Sequence, residues 1–351
     1  MFNGQLPSQS KPIVIIGAGG IVNTAHLPAY KIAGFNVEGI YDIDTEKSKA
    51  TAAAFNIPVV YNSIEELIAK RSPESVFDIA VPGAAMMNVL TQIPNGAAVL
   101  LQKPMGENFE EAKKILETAR EKELIAAVNF QLRYAPFITE VREMMKLGLL
   151  GELVDVEINV NVHTPWNLWD FLFSSPRVEI LYHSIHYIDL VRSFLGNPRS
   201  VYAKTVKHPL MKELASVRSN IILDYGDMIR ANILTNHCHV YGVSKQHSYI
   251  KFEGTKGAVK IGLGLLMDYP AGQSDTFEYI AMENGHYGEW KTKNIEGSWF
   301  PHAFIGSMSQ VMLAAEKTIE QPDNSVEDAI HTMACVEAAY TSSETGGERP
   351  D

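Results

Sequence analysis

Residues Ile13-Val14-Ile15-Ile16-Gly17-Ala18-Gly19-Gly20-Ile21-Val22-Asn23-Thr24-Ala25-His26 run from an apolar strand through a glycine turn into a helix start. Gly17 lets the chain turn sharply, and Gly19 lets the backbone approach a ligand with no Cβ in the way. The N–H groups of Gly20, Ile21 and Val22 at the helix start then face an anion such as a pyrophosphate. Glycines alone are a weak signal, and Val22 stands where a third glycine is usual. Asp42 strengthens it. It closes the next strand, 42 − 17 = 25 positions after the first glycine. A carboxylate there can accept both hydroxyls of an adenine ribose and repels a 2′-phosphate. NAD is the expected cofactor, and NADP stays open because a nearby Lys or Arg reverses the preference.

Strand and helix signals alternate outward from this stretch. Strands are expected at 13–16, 36–41, 58–60, 76–81, 97–101 and 124–128, with helices at 22–33, 45–55, 64–71, 85–93 and 109–122. Such alternation implies an α/β domain, a doubly wound parallel sheet with helices on both faces. Val81-Pro82 and Gln102-Lys103 follow strands at the sheet edge where these folds hold ligands. From Asn129 the pattern changes. After a helix at 136–147, alternating stretches at 153–162, 200–206, 217–225, 228–236, 249–253 and 258–261 read as an antiparallel sheet. Helices are expected at 180–195, 304–320 and 326–343. The division is 1–129 for the α/β domain and 130–351 for an α+β domain with a large, mostly antiparallel open sheet. The tail 346–351 reads as frayed.

The bulk properties narrow the function. A chain of 351 residues exceeds one ordinary core. Its 46% hydrophobic and 20% charged residues describe a soluble globular protein. A formal net charge of −11 and a pI near 5.5 argue against nucleic-acid or anionic-membrane partners. Two cysteines, Cys238 and Cys335, fit a reducing compartment better than a disulfide framework. Met1–Lys11 is polar and does not read as a signal peptide, and no apolar run reaches membrane-spanning length. A cytoplasmic location is expected.

Three further groups carry possible chemistry. Lys103, after the fifth strand, can stabilise a developing alkoxide or transfer a proton if buried; by itself it reads rather as a solvated surface lysine. Tyr182, His183, His186 and Asp189 fall on one helical face by their spacing. They read as a proton relay, as a zinc pair through His183 and His186, or as a buried histidine satisfied by Asp189. His237 and His239 flank Cys238 and read as satisfied sheet histidines, so no metal is expected. Trp166, Trp169, Trp299 and His302 lie in loop-like stretches, where aromatics line sugar pockets or simply pack.

Gly17-Ala18-Gly19-Gly20, then His26-Leu27-Pro28, Lys103-Pro104, and His186 with Asp189 together resemble the glucose–fructose oxidoreductase/inositol dehydrogenase/MocA family. The resemblance implies an N-terminal Rossmann domain and a C-terminal sheet used for homodimers or homotetramers. It also implies a nicotinamide cofactor and sugar, inositol or related polyol substrates. Lys103 matches the lysine of the family's Glu-Lys-Pro motif, with Gln102 in the glutamate position. His186 matches the catalytic histidine. Tyr182 stands where the family has an aspartate, and Ser184 where it commonly has glycine, so His183 takes over part of the aspartate's role. Arg133 and Tyr134 are implied near cofactor or substrate, and Trp169, Asp189 and His302 are further substrate candidates. The expected activity is hydride transfer between nicotinamide and a sugar or polyol hydroxyl. Transient sugar oxidation during glycoside cleavage and a non-catalytic dinucleotide or sugar sensor are the alternatives.

Overall fold

The computed structural model describes residues 4–283 and 285–347, with Glu283 described in its backbone alone. Residues 348–351 of the tail expected to fray, and the first three of the polar start, lie outside the described residues. The chain forms two compact units, one of residues up to Tyr134 with Phe300–Met333, the other of Ala135–Trp299 with the chain from Ala334 on.

The first unit begins with β1 (Ile13–Ile16), fully apolar and buried. A wide turn of helix, Val22–His26, leads into α1 (Leu27–Ala33), which ends at Gly34 in the left-handed region. Then come β2 (Val37–Tyr41), α2 (Thr45–Phe55), β3 (Val59–Val60), α3 (Ile64–Lys70), β4 (Val76–Ile79), α4 (Gly83–Leu90), β5 (Ala98–Leu101), α5 (Phe109–Glu121) and β6 (Ile125–Val128). Caps set several helix starts. Asp44 accepts from the N–H groups of Glu46 and Lys47, Ser63 from that of Glu66, and Asn108 from that of Glu111. All strand pairs are parallel, in the order β3-β2-β1-β4-β5-β6. The order reverses between β1 and β4, the switch point beside which such sheets bind ligands.

The second unit opens with α6 (Pro136–Lys146) and β7 (Leu153–Asn161). A second wide turn, Ile180–Ser184, leads into α7 (Ile185–Leu195). The sheet continues through β8 (Ser200–Val206), β9 (Arg218–Asp224), β10 (Arg230–Asn236), β11 (His247–Gly254), β12 (Gly257–Gly262), β13 (Thr276–Glu283), β14 (His286–Tyr287) and β15 (Lys291–Thr292). Among the described residues it has nine strands, in the order β14-β13-β12-β11-β7-β10-β9-β8, with β15 on β13. It is mostly antiparallel, as expected, but β7 and β10 run parallel. One face carries buried Val156, Ile158, Ile221, Ile233, Ile250 and Phe252. Alternate positions Tyr202, Ile222 and Leu234 are exposed on the other.

The chain ends with α8 (Ala303–Ala315) and α9 (Val326–Thr345). Nearly every residue of α8 is buried. Phe304, Ile305, Met308, Val311 and Met312 join the core of Ile13, Ile15, Val22 and Tyr30 in the first unit. A helix apolar all round must be covered on all sides. Gly306 permits close approach: a Cβ there would lie 2.4 Å from the Tyr134 Cβ. No described helix is long and apolar enough to cross a membrane.

Candidate active site

The glycine turn is shaped by strand packing. Gly17 has φ +113, and a Cβ on it would lie 2.4 Å from the Ala80 carbonyl oxygen at the end of β4. Its N–H donates to the Tyr41 carbonyl at 2.7 Å. A Cβ on Gly19 or Gly20 would meet nothing within 4 Å. Gly17 therefore serves strand packing, and the next two glycines border open space. Val22 is fully buried in the core, so it packs where a third glycine would have allowed close approach. Asp42 ties the turn to β2. One carboxylate oxygen accepts from the Ala18 N–H at 2.6 Å, the other from the Asp44 N–H at 2.8 Å. Each oxygen keeps acceptor capacity for a ribose hydroxyl. Ile43 beside it is 92% exposed, an apolar surface that the sequence does not mark as a candidate.

Beneath this turn lies a buried polar chain. Tyr30 donates to Asp78 Oδ2 at 2.7 Å, and His26 Nδ1 lies 2.7 Å from the same oxygen. Asn129 Nδ2 lies 3.3 Å from His26 Nε2 and donates to Gln102 Oε1 at 3.0 Å. Burial first, and the Asp78 carboxylate next, push the Tyr30 phenol well above its ordinary range. The chain of contacts thus runs from α1 to the residue before Lys103. His26→Leu is expected to destabilise the fold by about 2–4 kcal/mol, because Asp78 loses one of two partners in a dry interior. A denaturant midpoint equal to that of the unaltered protein would show the network to be dispensable.

Lys103 sits at the end of β5, half-buried, and its peptide to the buried Pro104 is cis. Burial pulls its ammonium down to about 8. Val81-Pro82 leads from β4 into α4, whose first residue Gly83 would place a Cβ 2.9 Å from Glu107 Oε1. Sequence-matched Gln102, Lys103, Val81 and Pro82 thus lie at the ends of neighbouring strands of one sheet. Arg133 and Tyr134 have another visible employment. Arg133 donates to the Asp323 carbonyl at 2.7 Å and pairs with Asp328, while Tyr134 donates to the Asp323 carboxylate. These contacts bind the segment 300–333 to the rest of the first unit. His302 precedes α8 in that segment, and burial lowers its imidazole below the usual range.

In the second unit, Tyr182 and His183 lie in the wide turn, and His186 and Asp189 in α7. Tyr182, His186 and Asp189 are buried. The wide turn alters the angular spacing assumed for a regular helix, and the imidazoles meet different partners. His186 stands edge-on to Trp299, ring centroids 5.6 Å apart. His183 packs on Trp166 at 4.9 Å and His237 at 4.5 Å. Phe171 meets Tyr182 at 5.5 Å, and Trp169 meets Tyr269 at 5.8 Å. His237 lies just beyond β10, its Nδ1 2.9 Å from the Thr164 hydroxyl and its Nε2 3.4 Å from Glu179 Oε1. The expectation of a satisfied sheet histidine is not met at Nε2, which makes no hydrogen bond among the described residues, and the strand stops one residue earlier. Glu179 is the residue that sequence reasoning missed. Its one visible signal is a carboxylate set between apolar Val178 and Ile180. No group of three or more His, Cys, Asp or Glu among the described residues is arranged to hold a metal ion.

The NAD-binding Rossmann fold of the GFO_IDH_MocA oxidoreductase family matches residues 11–130, and the family's C-terminal alpha/beta domain matches residues 142–349. This chain belongs to the Gfo/Idh/MocA oxidoreductase family. The resemblance carried by the glycine turn, Lys103-Pro104 and His186 is borne out at the level of the family. The protein is a Gfo/Idh/MocA oxidoreductase with an NAD-binding Rossmann fold. It is 22% identical over 336 residues to D-xylose 1-dehydrogenase (NADP(+)) 2 of Haloferax volcanii, covering 95% of this chain and 97% of that one. It is 27% identical over 167 residues to an oxidoreductase of Synechocystis sp., covering 46% of this chain; the match spans less than half of that relative, 45%. A crystal structure of an oxidoreductase from Agrobacterium radiobacter in complex with NAD+, L-tartaric acid and magnesium superposes with a TM-score of 0.77. The identity is 20%, over 97% of this chain and 98% of that one, a likeness of fold.

Proposed function

We propose that this Gfo/Idh/MocA oxidoreductase interconverts a sugar, inositol or related polyol hydroxyl and its ketone, with NAD as the preferred nucleotide. The observation that carries this is Lys103, an ammonium held half-buried at the end of β5 and brought by burial to about 8. Such a group can both donate to a substrate oxygen and exchange its proton near neutrality. The residues present suit a dinucleotide. Gly19 and Gly20 border open space, and Asp42 is fixed by two backbone donors at the end of β2. The nicotinamide, when bound, accepts or returns the hydride. Lys103 steadies the substrate oxygen, and His186 takes the hydroxyl proton, with Tyr182 and His183 beside it. Trp169 with Tyr269 offers apolar faces suited to the C–H side of a sugar ring. Exposed Tyr202, Ile222 and Leu234 on one sheet face provide the surface for a second copy.

A panel of sugars and polyols with NAD and with NADP, followed at the nicotinamide absorbance, tests the activity. Reduced nucleotide should accumulate with at least one substrate. No turnover with any of them, alongside intact nucleotide binding, would favour a sensor instead. Asp42→Ser should weaken NAD by roughly tenfold, since hydrogen bonds to a charged acceptor are worth about 1.5–3 kcal/mol. It should weaken NADP less. Calorimetry with both nucleotides reads the difference, and an equal loss for the two would remove Asp42 from nucleotide choice.

A further inference from the structure

Glu179 is fully buried in the second unit, one residue before the wide turn that carries Tyr182 and His183. Ser184 donates to its Oε1 at 2.7 Å. His237 Nε2 lies 3.4 Å from the same oxygen, within ion-pair reach. His237 is itself buried, and its Nδ1 lies 2.9 Å from the Thr164 hydroxyl. The His237 ring packs against His183, centroids 4.5 Å apart, and Trp166 flanks both. His183 is the half-exposed end of this series. A carboxylate, a buried imidazole and an accessible imidazole thus follow one another from the interior outward.

Burying a carboxylate costs several kcal/mol unless partners compensate. Burial alone would favour the neutral acid. His237, Ser219 and Ser184 outweigh it and hold Glu179 below the usual carboxylate range. Its charge is felt nearby: the Tyr187 and Tyr340 phenols are pushed up, chiefly by burial and then by Glu179. Tyr340 also accepts from the Leu181 N–H in the wide turn, at 3.3 Å. The nearby cation Arg177 is committed to Glu337, at 2.7 and 2.8 Å. His237 is the imidazole within ion-pair reach of the buried charge, and the His183 ring packs on it. A wide helical turn is itself a common mark of functional sites.

We propose that Glu179 and His237 are positioning residues which hold the His183 ring and stabilise the positive charge it carries on receiving a proton. This deepens the proton-transfer role proposed for the Tyr182–His186 segment and rests on it. The carboxylate at Glu179 supplies the negative charge that Tyr182 cannot supply at neutral pH.

Glu179→Gln removes the charge and keeps the shape. Long-range proton–nitrogen spectra of the imidazoles, recorded on the whole chain from pH 5 to 9, read the outcome without any substrate. The titration midpoint of His183 should fall by about 1 pH unit or more, as expected for loss of a close opposite charge in a buried site. Glu179→Asp should restore it. NAD affinity should stay within about twofold, since Ser184 and His237, not the residues of the glycine turn, are the partners of Glu179. With a sugar on which the unaltered protein turns over, the acid limb of kcat against pH should move down by the same amount. An unmoved His183 midpoint overturns the proposal. If Glu179→Gln does not fold, His237→Gln carries the test: it must shift the His183 midpoint, and no shift overturns the proposal equally. A shifted midpoint in a protein that turns over no sugar or polyol supports the charge coupling and sinks the oxidoreductase reading separately.

Discussion

Lys103→Met is expected to lower turnover by roughly two or more powers of ten while NAD still binds, because general acid–base and oxyanion-type stabilisation by one group is worth about that much. It should also raise stability at neutral pH. The ammonium is brought from 10.5 to about 8 by burial, so the folded state resists its charge. A fall from 10.5 to about 8 corresponds to about 3 kcal/mol for a fully dry group. Lys103 is only half-buried, and solvent screening reduces this to about 1–2 kcal/mol. The direction depends on pH. Below about 8 both folded and unfolded chains carry the proton, and the folded state bears the whole penalty. Between about 8 and 10.5 the unfolded chain alone keeps it, so stability rises with pH. The advantage of Lys103→Met in a melting experiment should therefore be largest at pH 7 and fade towards pH 10. Unchanged turnover would remove Lys103 from the mechanism, and a lower melting point at pH 7 would show that the ammonium stabilises the fold.

Gly17→Ala and Gly19→Ala should fail in different ways. At Gly17 the new Cβ would stand 2.4 Å from a backbone carbonyl oxygen, and φ is +113. Neither constraint yields to a side-chain movement, because β1 and β4 are hydrogen-bonded neighbours. A loss of about 3 kcal/mol or more is expected, with nucleotide binding lost as a consequence. At Gly19 the new Cβ meets nothing within 4 Å. That variant should melt within a few degrees of the original yet bind NAD roughly tenfold or more weakly, because the methyl stands where pyrophosphate must approach. Thermal melts paired with calorimetry separate the two. A Gly19→Ala protein with full NAD affinity would move the phosphates away from this turn.

Much of the first unit is legible locally. A buried parallel strand is apolar throughout, a helix start carries a capping side chain, and a glycine turn needs glycine for steric reasons. Each signal lies within a few residues, so Ile13–Ile16, Thr45–Phe55 and Asp42 can be read along the chain. The second sheet is legible where one face is wet and alternation shows. β14 and β15 escape notice because two residues are too few for alternation to show. The family is legible too, since its motifs are short and contiguous.

The sequence by itself determined the alternating elements, the glycine turn, the carboxylate that follows β2 and the family, because each follows from short-range periodicity, glycine sterics or a contiguous motif. Only the tertiary structure decided that α8 fills the core of the first unit, that Arg133 is engaged by Asp323 and Asp328, and that Glu179 meets His237. Those pairings join residues dozens to hundreds of positions apart. Burial is a property of the folded neighbourhood, and no local pattern states which distant side chain will answer a buried charge.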